Sequence, residues 1–479
     1  MFKGVFFIMS TIRFGTDGWR AIMAREFTFD NFRLVVQAVT NYLKEADKKG
    51  KMVIGYDQRF LSDEFALEAA RVLAGNDIPV LLIDNPAPTP TTAYAIKRYN
   101  ALGALMITAS HNPPEYNGIK FIPEYAGPAT PEITDAIERH LKTLALDKVK
   151  VKSIEVANRE GLIEYINPKD DYFNHLHNVV NLEYINKTPI KIVIDAMFGA
   201  GIGYLDEFLS NSQCNIISIH NYRDPLFGGG MPEPMGSSLN ELVHKVKESS
   251  AVLGLALDGD ADRFGVIDRD GTYFSPNQIL PLLLHHLIEN RGWLGTVART
   301  IATTHLLDRI CEYYGQGIYE TSVGFKYIGK LLLEKDCILG GEESGGLSIR
   351  GHIPEKDGVL ACLLVIEMVA QSGKSLGELM EDLYEKYGKL ISERLDITVA
   401  TEKMSGMLVA VKDYSPAKIN GQLVIEKITV DGIKLKMANG SWVLIRPSGT
   451  EPLFRLYAEA ESEDELRKIQ QCVREDLDL

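Results

Sequence analysis

Ser110 lies in Thr108-Ala109-Ser110-His111-Asn112-Pro113-Pro114, followed by Asn117-Gly118-Ile119-Lys120. The apolar run Ala104 to Ile107 leads into it. Two prolines stiffen such a loop and a glycine permits a tight path. A serine held there in a fixed, exposed position suits a nucleophile or phosphoryl carrier, and Lys120 is near enough in sequence to return to it. The same residues would also make an ordinary turn in which Ser110 caps a helix.

Three further loops carry chemistry. In Asp258-Gly259-Asp260-Ala261-Asp262-Arg263 three carboxylates alternate with the two smallest residues. Period-two spacing points them the same way, and three hard oxygen ligands with open positions suit Mg²⁺ that also touches a phosphate. An EF-hand fits poorly, because Val266 and Arg269 occupy its ninth and twelfth positions. A solvated acidic turn is the plain alternative. Burying the three carboxylates without a cation would be costly. Gly340-Gly341-Glu342-Glu343-Ser344-Gly345-Gly346 offers carboxylates and a hydroxyl on a flexible backbone, as the vicinal hydroxyls of a sugar require. Arg446-Pro447-Ser448-Gly449-Thr450-Glu451-Pro452, with Arg455 beyond, pairs a planar guanidinium with hydroxyls and backbone N–H groups that can cradle a phosphate dianion. Surface glycine turns and a hairpin would use the same residue types. Gly199-x-Gly201-x-Gly203 also follows a strand, but its last spacing is wrong for a dinucleotide fingerprint.

The elements around these loops repeat as strand, loop and helix. Short apolar runs end abruptly at Gly55-Tyr56-Asp57, at Thr108, at Asp195, at Asp258 and at Arg446, with amphipathic stretches such as Asn31 to Lys44 and Glu64 to Leu73 between them. Alternating β and α predicts α/β domains, whose ligands sit beyond the carboxyl ends of strands. With 479 residues the chain is too long for one ordinary core. A charged stretch around Asp147 to Lys152 marks one boundary, and a more strand-rich pattern begins near Ile391. The net charge of −14 argues against non-specific nucleic-acid binding. No apolar run reaches the roughly 18 residues that span a bilayer. The five cysteines include no C-x-x-C pair and read as free thiols of a reducing compartment. The apolar start is short for a signal peptide, and Met9 is an alternative to Met1 as the first residue.

In this order, the four loops resemble those of the α-D-phosphohexomutase family, and Phe14-Gly15-Thr16-Asp17-Gly18-Trp19-Arg20 looks like that family's N-terminal motif. The resemblance runs from about Ile12 to the C-terminus. It implies three similar α/β domains and a smaller C-terminal α+β domain around a central cleft, here 10–150, 151–267, 268–390 and 391–479. It implies that Ser110 carries the phosphoryl group, and that Asp258, Asp260, Asp262 and a phosphoserine oxygen of Ser110 bind Mg²⁺. Arg263 would lie near that phosphate. Glu342 and Ser344 would hold sugar hydroxyls, and Arg446, Ser448, Gly449 and Thr450 the unreacting phosphate. Lys326, in Gly324-Phe325-Lys326-Tyr327, resembles a cleft lysine. Lys120 and Arg20 are the family-based candidates for charge neutralisation and for the general base. Some members place a histidine where this chain has Gly346. His352, in Arg350-Gly351-His352-Ile353-Pro354-Glu355-Lys356-Asp357-Gly358, resembles a phosphoglucomutase-like arrangement and is the catalytic candidate in its place, with a surface histidine as the alternative.

The implied reaction interconverts hexose 1-phosphate and hexose 6-phosphate through phosphoserine and a bisphosphate, with glucose 1,6-bisphosphate as activator. The Glu-Glu-Ser form of the sugar loop leans toward glucose phosphate. Phosphoglucosamine mutases more often have Glu-Gln-Ser, and dual mannose/glucose enzymes Glu-Met-Ser. The expectation is a cytoplasmic monomer or dimer acting on a small hexose phosphate, without nucleic acid or membrane. A phosphoserine-dependent phosphatase would share Ser110 and the aspartates but would not need both a sugar loop and a second phosphate cradle. A non-catalytic sensor would be free to lose Ser110, an aspartate or Arg446, and this chain keeps them all.

Overall fold

The computed structural model describes residues 12–14, 18–447 and 453–479. Ser448, Gly449, Thr450 and both alternative first residues, Met1 and Met9, lie outside the described residues. The chain forms two compact units, one of residues up to Phe274 together with Gly345–Gly373, the other of Ser275–Ser344 with Lys374–Leu479.

The first unit holds two sheets. Strands β1 (Trp19–Ile22), β2 (Met52–Tyr56), β3 (Val80–Ile83), β4 (Gly103–Ile107), β5 (Tyr116–Pro123) and β6 (Ile163–Ile166) form the first, in the order β1-β5-β4-β2-β3-β6. The inner strands β2, β3 and β4 are parallel and apolar almost throughout, as strands covered on both faces must be. β5 then returns antiparallel to β4, with Met106 opposite Lys120 and Ile107 opposite Ile119. That register brings Lys120 back beside the loop that starts at Thr108. The second sheet contains β7 (Lys191–Asp195), β8 (Asn215–Ile219), β9 (Leu253–Leu257), β10 (Phe264–Asp268) and β11 (Tyr273–Phe274), in the order β11-β10-β9-β7-β8. β9 and β10 are antiparallel, with Leu257 opposite Phe264, so Asp258 to Arg263 is the hairpin loop that joins them.

Helix Gly358–Ser372 completes this unit. Its sequence is apolar on nearly all sides, and such a helix must be buried on all sides. It packs on β9, β10 and helix Leu182–Lys187. Asp357 caps its start, with the carboxylate accepting the Leu360 N–H at 2.8 Å, and Gly373 ends it in the left-handed conformation. The one acid inside it, Glu367, accepts the N–H of Asn181 at 2.8 Å.

The second unit has three parallel strands, β12 (Thr296–Thr300), β13 (Ile318–Thr321) and β14 (Cys337–Gly341), with β12 in the middle. Its other sheet is antiparallel, in the order Ile391–Thr398, Leu453–Ala460, Trp442–Pro447, Ile433–Met437, Gln422–Ile428 and Lys418–Ile419. The architecture is thus three α/β domains followed by a C-terminal α+β domain. Within this unit a polar knot ties the last two sheets together. Lys434 Nζ donates to the Ile301 carbonyl at 2.7 Å and to Glu320 at 3.0 Å, and stands 4.2 Å from the centre of the Trp442 ring. Burial pushes its pKa down to about 8. Trp442 Nε1 donates to Glu459 Oε1 at 2.7 Å, and the His305 N–H donates to the same oxygen at 2.9 Å. Glu459 is fully buried, and its other oxygen has no hydrogen-bond partner. Trp442→Phe removes a hydrogen bond to a buried carboxylate and is expected to cost about 1.5–3 kcal/mol. Urea unfolding followed by circular dichroism measures that loss, and an unchanged midpoint would show the knot contributes nothing. No single described helix is long and apolar enough to cross a membrane.

Candidate active site

β4 delivers Ser110 at its carboxyl end in the left-handed conformation, with φ of 51°. The Ser110 N–H donates to Thr108 Oγ1 at 2.8 Å. Ser110 Oγ donates to Asp258 Oδ2 at 2.8 Å and lies 3.4 Å from His111 Nδ1. Burial, then the charges of Arg263 and Arg20, holds the His111 pKa well below the ordinary imidazole range, so the ring is neutral at neutral pH. Arg20 reaches the same loop, with Nη1 donating to Asn112 Oδ1 at 2.9 Å.

The loop from Asp258 to Arg263, the candidate metal loop, faces it. Asp258 Oδ1 accepts the N–H groups of Asp262 and Arg263 at 2.9 and 3.0 Å, closing the hairpin on itself. Asp258, Asp260 and Asp262 are fully buried, and each offers a carboxylate oxygen within 4.8 Å of the other two. Burial and the charges of Asp260 and Asp262 push the Asp258 carboxyl well above its ordinary range. Burial acts on the other two as well, but cations outweigh it. Lys120 Nζ donates to Asp260 Oδ2 at 2.6 Å and to Asp262 Oδ2 at 2.9 Å, and Lys356 Nζ lies 3.0 Å from Asp262 Oδ2. Both carboxyls are held below the usual range as a result. Thr89 Oγ1 adds a hydrogen bond of 2.6 Å to Asp260. Asp260 Oδ1 and Asp262 Oδ1 are buried without a hydrogen-bond partner. Buried carboxylate oxygens rarely stay unpaired, and these two, with Asp258 beside them, fit a small divalent cation that takes oxygen ligands.

Close backbone packing keeps this geometry. A Cβ on Gly199 would lie 2.8 Å from the Gly259 carbonyl, and the Ala200 N–H donates to that carbonyl at 2.9 Å. The Gly199-x-Gly201 segment therefore serves the close approach of β7's exit loop to the metal loop. A Cβ on Gly259 would sit 2.4 Å from the Ser110 carbonyl oxygen. Gly259→Ala is expected to push the two loops apart and lower kcat by about 100-fold, the scale of a 1 Å misplacement, in a protein that still folds. Steady-state kinetics with circular dichroism as control check this, and wild-type kcat would show the contact gives way without consequence.

Ser110, Lys120, Arg20, Asp258, Asp260, Asp262 and Arg263 thus come together in the first unit; Arg263 Nε lies 3.9 Å from Asp262 Oδ1. Glu342, Ser344, Lys326 and Arg446 belong to the second unit. There Ser344 Oγ donates to Glu342 Oε1 at 2.7 Å, Lys326 Nζ lies 5.2 Å from the Tyr327 ring centre, and Arg446 Nε lies 3.4 Å from Asp431 Oδ1. His352 lies in the first unit and is held by other partners. Its Nδ1 meets His175 Nε2 at 2.9 Å, its Nε2 meets Asp357 Oδ2 at 2.8 Å, and its side chain is wholly buried. Tyr172 donates to the same Asp357 oxygen at 2.7 Å. None of these contacts is with Ser110 or an aspartate of the metal loop; they brace the turn that carries Lys356. Lys356, Thr89 and Arg59 are the residues that sequence reasoning passed over. Only Lys356 had a signal, as the lysine of the Glu-Lys-Asp-Gly segment already singled out for His352.

Comparison with known proteins agrees with this reading over almost the whole chain. Residues 11–148, 170–271 and 275–387 match alpha/beta/alpha domains I, II and III of phosphoglucomutase/phosphomannomutase, and residues 401–476 match the C-terminal domain. The chain belongs to the phosphoglucomutase/phosphomannomutase family, the α-D-phosphohexomutases, and is a mutase-type isomerase. A phosphoglucomutase/phosphomannomutase of Thermococcus kodakarensis is 31% identical over 458 residues, covering 95% of this chain and 96% of the relative. A probable phosphoglucosamine mutase of Pyrococcus horikoshii is also 31% identical, over 459 residues and 95% of each chain. Among solved structures, a putative phosphomannomutase from Thermus thermophilus superposes with a TM-score of 0.85 at 33% identity, over 98% of this chain and 100% of that one. The relatives share hexose phosphate mutase chemistry and differ in the sugar they are named for.

Proposed function

We propose that this enzyme interconverts hexose 1-phosphate and hexose 6-phosphate through a phosphoserine at Ser110, with glucose phosphate as its preferred substrate. The observation that carries the proposal is Ser110 Oγ held 2.8 Å from Asp258 in a buried cluster of three carboxylates and two lysines. Asp258, Asp260, Asp262 and the phosphoserine would hold Mg²⁺, which when bound neutralises phosphoryl charge. Lys120 and Lys356 add positive charge beside the transferring group, and phosphoryl transfer depends above all on charge neutralisation and positioning. Its pairing with Asp260 and Asp262 favours a charge-neutralising role for Lys120 over that of general base. Arg20 fixes the loop through Asn112.

In the first half-reaction a sugar hydroxyl oxygen forms the new P–O bond as the bond from phosphorus to Ser110 Oγ breaks, and the hydroxyl proton ends on the released Ser110 Oγ, giving the bisphosphate and a free serine. After the sugar turns around, its other phosphate returns to Ser110. Glu342 and Ser344 would take sugar hydroxyls, and Arg446, Ser448, Gly449 and Thr450 the phosphate that does not react, with Lys326 and Arg263 nearby. Glucose 1,6-bisphosphate would prime Ser110. The Glu342-Glu343-Ser344 sequence supports glucose over mannose and glucosamine, and five free cysteines suit the cytoplasm.

The test is ³¹P NMR of the protein with Mg²⁺, catalytic glucose 1,6-bisphosphate and each hexose 1-phosphate in turn. Fastest growth of the 6-phosphate signal with glucose supports the proposal. Faster conversion of the mannose or glucosamine ester would move the preference there, and inorganic phosphate alone would make the protein a phosphatase.

A further inference from the structure

Arg59, in the loop after β2, is wholly buried. A buried guanidinium is tolerated only when its donors are paired, and the pairing here is concentrated on one segment. Nη1 donates to the carbonyls of Pro113 and Tyr116 at 2.8 and 3.1 Å. Nη2 donates to the carbonyls of Ser110 and Asn112, each at 2.6 Å. Three of the four acceptors lie in the loop that presents Ser110, and the fourth, Tyr116, opens the strand that follows it. Nε stands 3.3 Å from Asp57 Oδ2, and the Phe227 ring covers the guanidinium with its centre 4.8 Å away.

The loop needs such a support. Ser110 is left-handed at φ 51°, a conformation that is unfavourable for an L-residue and persists only where surroundings impose it. Its carbonyl is gripped by Arg59 Nη2 on one side. On the other it lies so close to Gly259 that a Cβ there would be 2.4 Å away. With the carbonyl fixed between these two, Oγ is aimed at Asp258. The arginine touches neither Oγ nor the aspartates by any of these hydrogen bonds. Asp57 sets the arginine in turn: its Oδ1 accepts the Arg59 N–H at 3.0 Å and the Ser62 hydroxyl at 2.8 Å.

We propose that Arg59 is the positioning residue of the phosphoryl-carrying loop, holding Ser110 in its left-handed conformation against the metal loop, with Phe227 as the backing of the guanidinium. This rests on Ser110 as the carrier. A lysine would keep the charge but not the planar fork, and cannot make the four bonds together.

The experiment is Arg59→Lys in the full chain, primed with glucose 1,6-bisphosphate and compared per phosphorylated site, as counted by intact mass. The expected result is a kcat about 100-fold lower, as for an angstrom-scale misplacement, with KM for the hexose phosphate within about threefold and a shifted or broadened phosphoserine ³¹P resonance. An unchanged kcat per phosphorylated site with an unchanged resonance overturns the proposal, because a merely structural arginine would lower only the amount of folded protein. Where Arg59→Lys does not fold, Phe227→Leu keeps the four hydrogen bonds and removes the ring. A several-fold lower kcat and a displaced resonance are then expected, and neither changing overturns it. Ser110→Ala is run alongside. If that variant takes up phosphate and turns over normally, the carrier reading fails first, and the role of Arg59 with it.

Discussion

Ser110→Ala is expected to lose about 10⁴-fold or more in kcat, the scale of removing a covalent nucleophile, while its melting temperature stays within a few degrees of the parent. The substitution deletes one hydroxyl. Both residues carry a Cβ, so the left-handed backbone at φ 51° is no worse for alanine than for serine. The Arg59 bond to the residue 110 carbonyl is untouched. Only Asp258 Oδ2 loses a donor, and one hydrogen bond is worth about 1 kcal/mol net. Activity and stability should therefore separate cleanly. Intact mass after incubation with glucose 1,6-bisphosphate gives the second readout: the parent gains one phosphoryl group and the variant none. Normal turnover in the variant would take Ser110 out of the reaction.

The serine and metal loops were legible for a topological reason. Each is the short link between two adjacent antiparallel strands, so every residue of the constellation lies within one stretch of sequence. The β4–β5 register that sets Met106 opposite Lys120 is what brings the lysine back, and the β9–β10 hairpin holds three aspartates on six residues. Of what reaches these loops from elsewhere, Arg20 stands in the N-terminal motif and Lys356 in the Glu-Lys-Asp-Gly segment; the rest leaves no pattern. Thr89 starts a helix after a different strand and Arg59 follows another. The motif around His352 marks it as a catalytic candidate but does not foretell the partners of its ring, His175 and Asp357. Motif spacing gives neighbours along the chain and says nothing of which side of a turn faces inward. Lys434 shows the same limit in a strand. In Ile433-Lys434-Leu435-Lys436-Met437 alternation assigns both lysines to the solvent face. Lys434 is instead fully buried, beneath the Ile301 carbonyl and Glu320. Tertiary docking overrides a period of two whenever a second layer covers the polar face.

Asp258→Asn should invert the stability order of parent and variant according to whether Mg²⁺ is present. Asparagine keeps an Oδ1 to accept the N–H groups of Asp262 and Arg263, and its amide can reach Ser110 Oγ in place of the carboxylate. Shape is conserved; charge is not. In the parent, burial together with Asp260 and Asp262 raises the Asp258 carboxyl well above its ordinary pKa. A carboxyl raised on folding contributes stability below its unfolded pKa of about 3.9, and that contribution is lost as pH rises through the folded value. Asparagine never pays this ionisation cost. Without metal near neutral pH or above, the variant should melt higher than the parent, by roughly 2–4 °C for each kcal/mol of relieved repulsion. With Mg²⁺ the parent gains about 2.7 kcal/mol at one hundred times its dissociation constant, whereas the variant, short of one anionic ligand, gains much less. kcat should fall by about 10³-fold, in the range for losing one preorganised electrostatic partner of the transition state. Thermal melts with EDTA and with Mg²⁺, run on both proteins at pH 7.5 and 5, measure the crossing. A parent that melts higher than the variant in both media would mean that Lys120 and Lys356 already compensate the three carboxylates in full. The aspartates would then be a structural ion cluster, and the search for the metal would have to leave this loop.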